Sequence, residues 1–412
     1  MAADGIFLAV PDEVGPGKRL AVKDLLDTTG LTTTYGSAVF AAHVPISTAE
    51  SVRLAEAAGY VNVGKTNLHE FAWGGTTDNP HYGTCRNPWN PERFPAGSSG
   101  GSGAAVAART CLGALGTDTG GSIRLPSAVN GIVGIRPTIG RVSNHNVVPL
   151  AWTMDTVSPM TRTVEDCVLM FEAIAGYDLL DDHSAQVPVP DYRGELSRGV
   201  RGLRVGLIRD YSLAHVQPAV GNTIRAAIAA LEALGTEVEE IAMPAIHGNI
   251  SAQLTIESCE PSTYHQEWLR ERAADYGDDV RTLLELGEMY LATHYLQAQR
   301  YRSVLRKEFL EGFKRVDVFV TPTLPFTATP CGATTVVIEN NREEDMLSAI
   351  MQFTGVPSLA GLPALSVPVG FDADGLPVGM QVIGRPFDEA TLFRLGHAYQ
   401  QATDWHTRAP SL

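Results

Sequence analysis

The stretch Gly97–Gly140, GSSGGSGAAVAARTCLGALGTDTGGSIRLPSAVNGIVGIRPTIG, decides how this chain folds. Low-complexity glycine usually forms a flexible linker. Here, however, the glycines flank runs of small and apolar residues. Gly103–Leu112 is typical of a buried helix, because small residues permit close backbone approach, and Gly131–Ile135 is typical of a short buried strand. The stretch therefore predicts a densely packed core with tight backbone turns.

Helix and strand patterns alternate along the rest of the chain. Helices are predicted at Thr48–Gly59, Val220–Gly235 and Asp388–Thr403, and two or more within Tyr276–Val316. Strands are predicted within Val200–Asp210, Thr236–Met243, Val316–Pro325, Ala364–Phe371 and Pro377–Gly384, with a turn at Asp372–Gly375. Such alternation is typical of an α/β fold with a largely buried mixed sheet. Because we find no internal repeat and no linker, we expect a single domain, residues 1–412.

The bulk composition excludes several classes of protein. With 44% hydrophobic residues in 412, the chain can bury a large core. Its net charge of −15 argues against the nucleic-acid backbone as the main partner. No apolar run approaches the ~18 residues of a membrane span, and we see no signal peptide. The five cysteines are scattered without a C-x-x-C pair, so we expect a cytoplasmic protein with free thiols and no zinc or other metal site.

A phosphate-binding pattern, G-x-x-x-x-G-K-T, occurs within Ala58–Asn67. In a true P-loop a buried strand comes first and a helix begins at the lysine. Here a helix pattern precedes Gly59, and the strand-forming residues Tyr60–Val63 follow it. We therefore interpret Gly59 as the end of a helix and do not expect nucleotide binding.

Two serine-containing glycine turns, Pro95–Ser102 and Gly116–Ser127, suggest nucleophilic catalysis. Glycine allows consecutive N–H groups to face one point, which suits an oxyanion. Ser122 ends such a turn, but a serine needs a base. The histidines form no pattern that identifies one, whereas a buried neutral lysine could serve. Lys23 follows three apolar residues and fits that role, although a solvated strand edge is an open alternative for it.

The chain also resembles the amidase signature family. The resemblance covers Gly64–Ser143 and extends through Leu20–Gly30, Ala151–Cys167, Leu359–Phe371 and Gly375–Leu392. It implies a central mixed β-sheet covered on both faces by α-helices, without a cofactor. It also implies a catalytic core at about residues 15–175, a variable substrate region at about 185–330, and C-terminal core strands and a helix at about 331–412.

The resemblance implies a Ser–cis-Ser–Lys triad. Matched motif to motif, the nucleophile is Ser122, the bridging serine is Ser98 after a cis Gly97–Ser98 bond, and the base is Lys23 rather than Lys65. The implied oxyanion hole comprises Thr119, Gly120, Gly121 and Ser122. Ser99, Asp118 and Arg124 match positions that support this loop, and a purely structural role for them is an equal alternative.

The implied reaction is hydrolysis of a carbon–nitrogen bond through a seryl acyl-enzyme. We expect a monomer or homodimer that cleaves a small-molecule amide or carbamate, with no nucleic-acid or membrane partner. One alternative is a subunit of a tRNA-dependent amidotransferase. Another is an α/β-hydrolase elbow with Ser99 as the nucleophile of G-x-S-x-G, but the proline-rich Asn87–Ala96 before it does not predict the strand that an elbow needs.

The substrate pocket is expected to lie near aromatic and apolar residues of the loops and the variable region. The residues predicted for it are Trp73, Trp152, Met154, Tyr264, Phe353 and Thr354. They suit an aryl or aliphatic acyl group better than a charged one, and core packing explains them equally well. Amides, anilides, carbamates and urea-like compounds all remain open as substrates, and an amidase of this kind would also cleave esters.

Overall fold

The computed structural model describes residues 5–411 as helices packed around a large mixed sheet. The strands are β1 Phe7–Ala9, β2 Lys18–Lys23, β3 Tyr60–Thr66, β4 Asp78–Asn79, β5 Gly83–Thr84, β6 Gly113–Asp118, β7 Val133–Arg136, β8 Thr156–Thr161, β9 Arg204–Ile208, β10 Glu237–Ile241, β11 Val318–Pro322, β12 Thr335–Val337, β13 Glu343–Asp345, β14 Ala364–Phe371 and β15 Pro377–Ile383. The α-helices are α1 Glu50–Ala57, α2 Gly100–Ala107, α3 Arg124–Val129, α4 Val164–Ile174, α5 Tyr192–Glu195, α6 Pro218–Ala233, α7 Asn249–Arg272, α8 Asp278–Glu288, α9 Ala292–Gly312, α10 Met346–Ile350, α11 Gly355–Ala360 and α12 Glu389–Ala402.

The main sheet has eleven strands in the order β1-β3-β2-β6-β8-β7-β14-β15-β11-β9-β10. The pairs β2–β3, β2–β6, β9–β10 and β9–β11 are parallel. The other neighbours in the sheet are antiparallel. The sheet is therefore mixed, as predicted, and it joins strands from the beginning, middle and end of the chain.

Two glycines of β6 show that helices cover both faces of the sheet. Side chains separated by an odd number of residues point to opposite faces of a strand. A Cβ atom on Gly113 would lie 3.0 Å from Met170 Sδ of α4. A Cβ atom on Gly116 would lie 2.9 Å from Ser99 Oγ, at the start of α2. The helices α2 and α4 therefore pack closely on opposite sides of β6, which confirms the predicted layering.

The phosphate-loop pattern adopts the expected order of helix, glycine and strand. After α1, Gly59 takes a φ of +86° and its N–H donates to Glu56 O over 2.9 Å. Lys65, the lysine of the pattern, is fully buried in β3. Its Nζ lies 2.8 Å from Thr33 Oγ1 and 3.4 Å from Asp24 Oδ1. Lys65 therefore forms an ion pair in the core and is not accessible to a phosphate.

The long helix α7 is the main element that the sequence patterns did not predict. It spans 24 residues and contains Pro261 and many polar side chains, so its pattern is not that of an ordinary amphipathic helix. It packs against α8, α9 and α11 and carries the buried side chains of Gln253 and Glu257. Within residues 5–411, no helix combines the length and apolarity needed to cross a membrane.

Candidate active site

Lys23 and Ser98 meet at the end of β2. Lys23 Nζ lies 2.6 Å from Ser98 Oγ and 2.7 Å from Thr117 Oγ1 of the neighbouring strand β6. Both Lys23 and Ser98 are fully buried, and the Gly97–Ser98 peptide bond is cis. The structure therefore brings the expected base and the expected bridging serine within hydrogen-bonding distance.

The environment of Lys23 favours its neutral form. Burial lowers the pKa of Lys23 to about 7, although the charges of Asp118 and Asp155 oppose that shift. The alternative of a solvated strand edge is wrong, because β2 lies between β3 and β6 in the interior of the sheet. Near neutral pH a substantial fraction of the lysine can therefore accept a proton.

The turn between β6 and α3 carries Ser122 to the surface of a cavity. Ser122 is 7% exposed, and its carbonyl accepts a hydrogen bond from Ser99 N–H over 3.2 Å. Gly121 has a φ of +141°, and a Cβ atom there would lie 2.4 Å from Thr354 Oγ1. Only glycine fits this position without strain, so the turn that presents Ser122 depends on it.

The buried carboxylate of Asp118 accepts hydrogen bonds from the same turn. Its Oδ2 accepts hydrogen bonds from Ile123 N–H over 3.2 Å and from Arg124 Nε over 2.9 Å, while its Oδ1 lies 2.8 Å from Arg124 Nη2. Arg136 Nη1 lies 3.1 Å from Asp118 Oδ1. Burial alone would raise the pKa of Asp118, but the two guanidinium groups hold it well below its usual range. Asp118 is therefore a carboxylate that fixes the backbone leading to Ser122.

Arg124 connects this turn to the C-terminal part of the chain. Its Nη1 donates to Gln381 Oε1 over 2.5 Å and to Thr354 O over 2.9 Å. Its Nη2 donates to Ser358 Oγ over 2.6 Å. Gln381 lies in β15, and Thr354 and Ser358 lie at and within α11. Arg124 therefore positions the turn and is not exposed to a substrate, because it is fully buried.

The cavity beside Ser122 is small, with a volume of about 30 Å³. Its lining is mostly apolar or glycine and comprises Ala72, Trp73, Gly74, Gly75, Gly120, Ser122, Leu125, Leu150, Glu257, Leu347, Ile350 and Met351. Of the six residues predicted for the pocket, Trp73 lies in this wall. Within residues 5–411, no three His, Cys, Asp or Glu side chains form a group that could hold a metal ion.

The other five predicted pocket residues lie elsewhere. Met154 and Phe353 are fully buried in the core, and Thr354 is buried beside Gly121. Trp152 lines a second cavity, which reaches Thr117 and Asp155. Tyr264 is 38% exposed and packs against Trp268, with ring centroids 5.6 Å apart. These five residues do not line the Ser122 cavity, because the fold uses most of their apolar surface for packing, and their place in a substrate pocket stays a prediction.

Two site residues were missed from the sequence. Thr117 immediately precedes Asp118 in GTDTGG. Once β6 is assigned as a strand, the side chain of Thr117 must point to the face opposite that of Asp118, and this alternation could have identified Thr117 as a site residue. Glu257 lies in α7, within the region that carries no recognisable motif. No pattern in the sequence places Glu257 next to Ser122.

Ser99 is not arranged as the nucleophile of an α/β-hydrolase elbow. It is fully buried, and its Oγ donates to Thr117 O over 3.1 Å. An elbow needs a strand directly before the serine. In the described chain, β5 ends at Thr84 and the next strand, β6, begins at Gly113. Ser99 instead precedes α2 and ties its start to β6.

Comparison with known proteins supports the resemblance. A family model described as Amidase matches residues 17–393. The chain is 42% identical over 420 residues to a Glutamyl-tRNA(Gln) amidotransferase subunit from Roseiflexus sp. (strain RS-1), covering 96% of this chain and 85% of that protein.

Solved structures show the same fold. The crystal structure of a Glutamyl-tRNA(Gln) amidotransferase subunit from Thermotoga maritima has a TM-score of 0.85 and 34% identity, covering 97% of this chain and 87% of that one. A structure described as "An unexpected vestigial protein complex reveals the evolutionary origins of an s-triazine catabolic enzyme" has a TM-score of 0.89 and 33% identity, covering 93% and 83%.

These findings correct the expectation about partners. The similar proteins from Roseiflexus and Thermotoga are named as one subunit of an amidotransferase, and that name includes a tRNA. The expectation of a monomer or homodimer that works with no nucleic acid involved is therefore wrong. We inferred that expectation in part from the acidic net charge. The inference does not hold for a complex, because one subunit can be acidic when another chain makes the RNA contacts.

Proposed function

The chain belongs to the amidase signature family, and from that premise we propose that it cleaves a carbon–nitrogen bond by acyl transfer to Ser122. The observation that carries this proposal is the hydrogen bond of 2.6 Å between Lys23 Nζ and Ser98 Oγ, close to the turn that presents Ser122. A fully buried lysine bonded to a serine hydroxyl is suited to removing a proton rather than to binding an anion.

In the proposed first step, neutral Lys23 takes the proton of Ser98 while Ser98 takes that of Ser122. Ser122 Oγ then attacks the amide carbonyl carbon. Backbone N–H groups of the turn formed by Thr119, Gly120, Gly121 and Ser122 stabilise the oxyanion, and one such donor is typically worth about 3 kcal/mol.

In the proposed second step, the tetrahedral intermediate collapses and the carbon–nitrogen bond breaks. The proton held by Lys23 returns through Ser98 to the leaving nitrogen, which departs as ammonia or an amine. Water then attacks the Ser122 ester, loses its proton along the same relay, and releases the carboxylic acid with Ser122 restored.

We further propose that this amidase works within a multi-subunit amidotransferase and releases ammonia from glutamine for transfer by partner chains. The sequence and structural similarity to amidotransferase subunits from Roseiflexus and Thermotoga supports this assignment. The nucleic-acid contacts then belong to the partners, because this chain carries a net charge of −15. A cytoplasmic location is part of the same proposal, since five free cysteines suit a reducing compartment.

The experiment is a measurement of ammonia release from glutamine by wild type and by Ser122→Ala, with and without partner subunits from the same source. We expect release that depends on Ser122 and increases when the partners and glutamyl-tRNA(Gln) are present. Equal release by Ser122→Ala would contradict the catalytic assignment. Release that depends on Ser122 but never responds to partners would contradict the amidotransferase assignment and leave the amidase intact.

The wall of the Ser122 cavity favours a second candidate, the hydrolysis of an amide with an uncharged acyl group. Among the described residues, the lining contains no lysine or arginine, so the carboxylate of free glutamine would find no cation there. A panel of uncharged aliphatic amides assayed beside glutamine distinguishes the two. A kcat/KM at least tenfold higher for an uncharged amide would favour this candidate.

A further inference from the structure

Glu257 is the single titratable side chain in the described wall of the Ser122 cavity. It is 2% exposed, and no lysine or arginine of the described chain shares the lining with it. Buried carboxyl groups are normally paired with a cation or fully hydrogen-bonded. The proposed proton relay uses Lys23, Ser98 and Ser122 and gives Glu257 no role.

The two carboxyl oxygens of Glu257 differ in their hydrogen bonding. Gln253 Nε2 donates to Glu257 Oε1 over 2.9 Å. Glu257 Oε2 makes no hydrogen bond with any residue between 5 and 411. Because Oε1 accepts an N–H group, the proton of the neutral carboxyl group resides on Oε2, where it is available to a molecule in the cavity.

The surroundings of Glu257 keep it protonated at neutral pH. Burial raises its pKa to about 8, although the hydrogen bond from Gln253 opposes the shift. Among the charged groups around it, Asp155 and Asp118 raise the pKa further and Arg136 lowers it. Met351, the other neighbour of Gln253 Nε2, is uncharged.

Glu257 also lies next to the turn expected to bind the oxyanion. A Cβ atom on Gly120 would lie 2.8 Å from Glu257 Oε1 and 2.2 Å from Gln253 Nε2. Gln253 and Glu257 therefore sit directly over Gly120, two residues before Ser122. Because Glu257 and Ser122 line the same cavity, an acyl group attached to Ser122 that enters it comes within reach of Glu257.

We propose that Glu257 is a specificity-determining residue that donates a hydrogen bond from Oε2 to an oxygen in the acyl part of the substrate. This inference rests on the second candidate of the proposed function, hydrolysis of an amide with an uncharged acyl group, and names its substrate class. The preferred amide carries a second oxygen acceptor in its acyl group. A purely aliphatic acyl group leaves the donor of Glu257 unpaired, and a cationic one finds a neutral carboxyl group instead of a counter-ion.

The test compares 4-oxopentanamide and 5-oxohexanamide with the matched amides that lack the ketone, pentanamide and hexanamide, and with the cationic 5-aminopentanamide. In wild type at pH 7 we expect a kcat/KM about tenfold higher for at least one ketone than for its match. Glu257→Leu reduces that ratio to about one, whereas Glu257→Gln retains it because the amide still donates.

The pH dependence separates hydrogen bonding from a merely structural role. In wild type the ratio falls as the pH rises through about 8, because Glu257 then loses the proton that it donates. In Glu257→Gln the ratio is independent of pH. Ionisation of Lys23 cancels in the ratio, so this readout holds even if Glu257→Leu fails to fold.

Calorimetric binding of the same amides to Ser122→Ala gives a second measurement that needs no turnover. One outcome is that no amide is cleaved, but a ketone amide binds more tightly than its matched amide when residue 257 is Glu or Gln and not when it is Leu. In that case the proposed amide hydrolysis is contradicted and the role of Glu257 is supported. Turnover or binding that shows no ketone preference overturns the role of Glu257. A preference for 5-aminopentanamide that Glu257→Gln abolishes also overturns it, because Glu257 then acts as an anion.

Discussion

At the scale of single residues, two lysines are buried in neighbouring strands, and the groups that contact their ammonium nitrogens differ. Lys65 has a carboxylate, Asp24, within 3.4 Å of its Nζ. Lys23 has two hydroxyl groups, those of Ser98 and Thr117, and no carboxylate from residues 5–411 within salt-bridge distance. Burial disfavours the charge of both, but the charge of Lys65 has a counter-ion and that of Lys23 does not. The lysine without a counter-ion is the one that can act as a base.

This contrast predicts the pH profile of the enzyme. Because Lys23 must be neutral to accept a proton, kcat/KM for a neutral amide rises about tenfold per pH unit below pH 7 and levels off above it. The measurement is kcat/KM between pH 5.5 and 8.5. Lys23→Ala loses activity throughout this range, whereas Lys314→Ala, which removes an exposed lysine, keeps the wild-type profile. A flat wild-type profile between pH 6 and 7 would argue against Lys23 as the base.

Asp118 predicts a change in stability. Asp118→Asn leaves Arg124 and Arg136 buried without their shared carboxylate, and breaking a buried ion pair typically costs about 3–5 kcal/mol. Because the native pKa of Asp118 lies below its unfolded value, wild type also loses this contribution as the pH falls below about 4.

The measurement for Asp118 is the free energy of unfolding in urea at pH 7 and at pH 3. The exposed Asp182→Asn is the control and should change the free energy by less than about 0.5 kcal/mol. An Asp118→Asn protein as stable as wild type at pH 7 would contradict the anchoring role.

At the scale of elements, the turn between β6 and α3 depends on the conformation of Gly121. Gly121→Ala introduces a Cβ atom 2.4 Å from Thr354 Oγ1 at a φ of +141°. We expect the turn to shift and kcat to fall at least tenfold, because the proposed oxyanion donors and Ser122 move together. Gly375→Ala is a matched control, since Gly375 has a φ of +76° with open space around it.

The two glycine variants differ in what they measure. Gly375→Ala reports the conformational cost alone, about 1–2 kcal/mol of stability, with kcat unchanged. Gly121→Ala adds the steric conflict with Thr354 and reaches the active site. Equal kcat values for the two variants would show that the turn does not control catalysis.

The same elements explain what could be predicted from the sequence. Strands such as β7 and β14 and helices such as α6 are local patterns, so their existence followed from periodicity, glycine and turn residues. The helix α7 did not, because Pro261 and its polar residues break the usual pattern, and its packing against α8, α9 and α11 stabilises it instead. Glu257 was missed for the same reason.

At the scale of the whole molecule, the candidate site is assembled from distant parts of the chain. Lys23 comes from β2, Ser122 follows β6, and Gln381 lies in β15. Motif resemblance could predict which residues meet, because the motifs are long and specific. It could not predict the cavity wall, since Leu347, Ile350 and Met351 reach Ser122 only through the tertiary packing. The division of the chain into core, variable region and C-terminal segment stays a prediction.

This assembly predicts that the chain unfolds as one unit. The largest group of buried apolar side chains extends along the chain from Leu20 to Tyr399, and the sheet runs without interruption through β7, β14 and β15. No part of the sheet can therefore lose its neighbours independently.

In scanning calorimetry we expect a single transition, with a van't Hoff enthalpy equal to the calorimetric one. Gln381→Leu removes one of the two acceptors of Arg124 Nη1 and should lower the midpoint of that single transition. Two resolved transitions, or a midpoint shift confined to one of them, would show that the C-terminal strands form a separate unit.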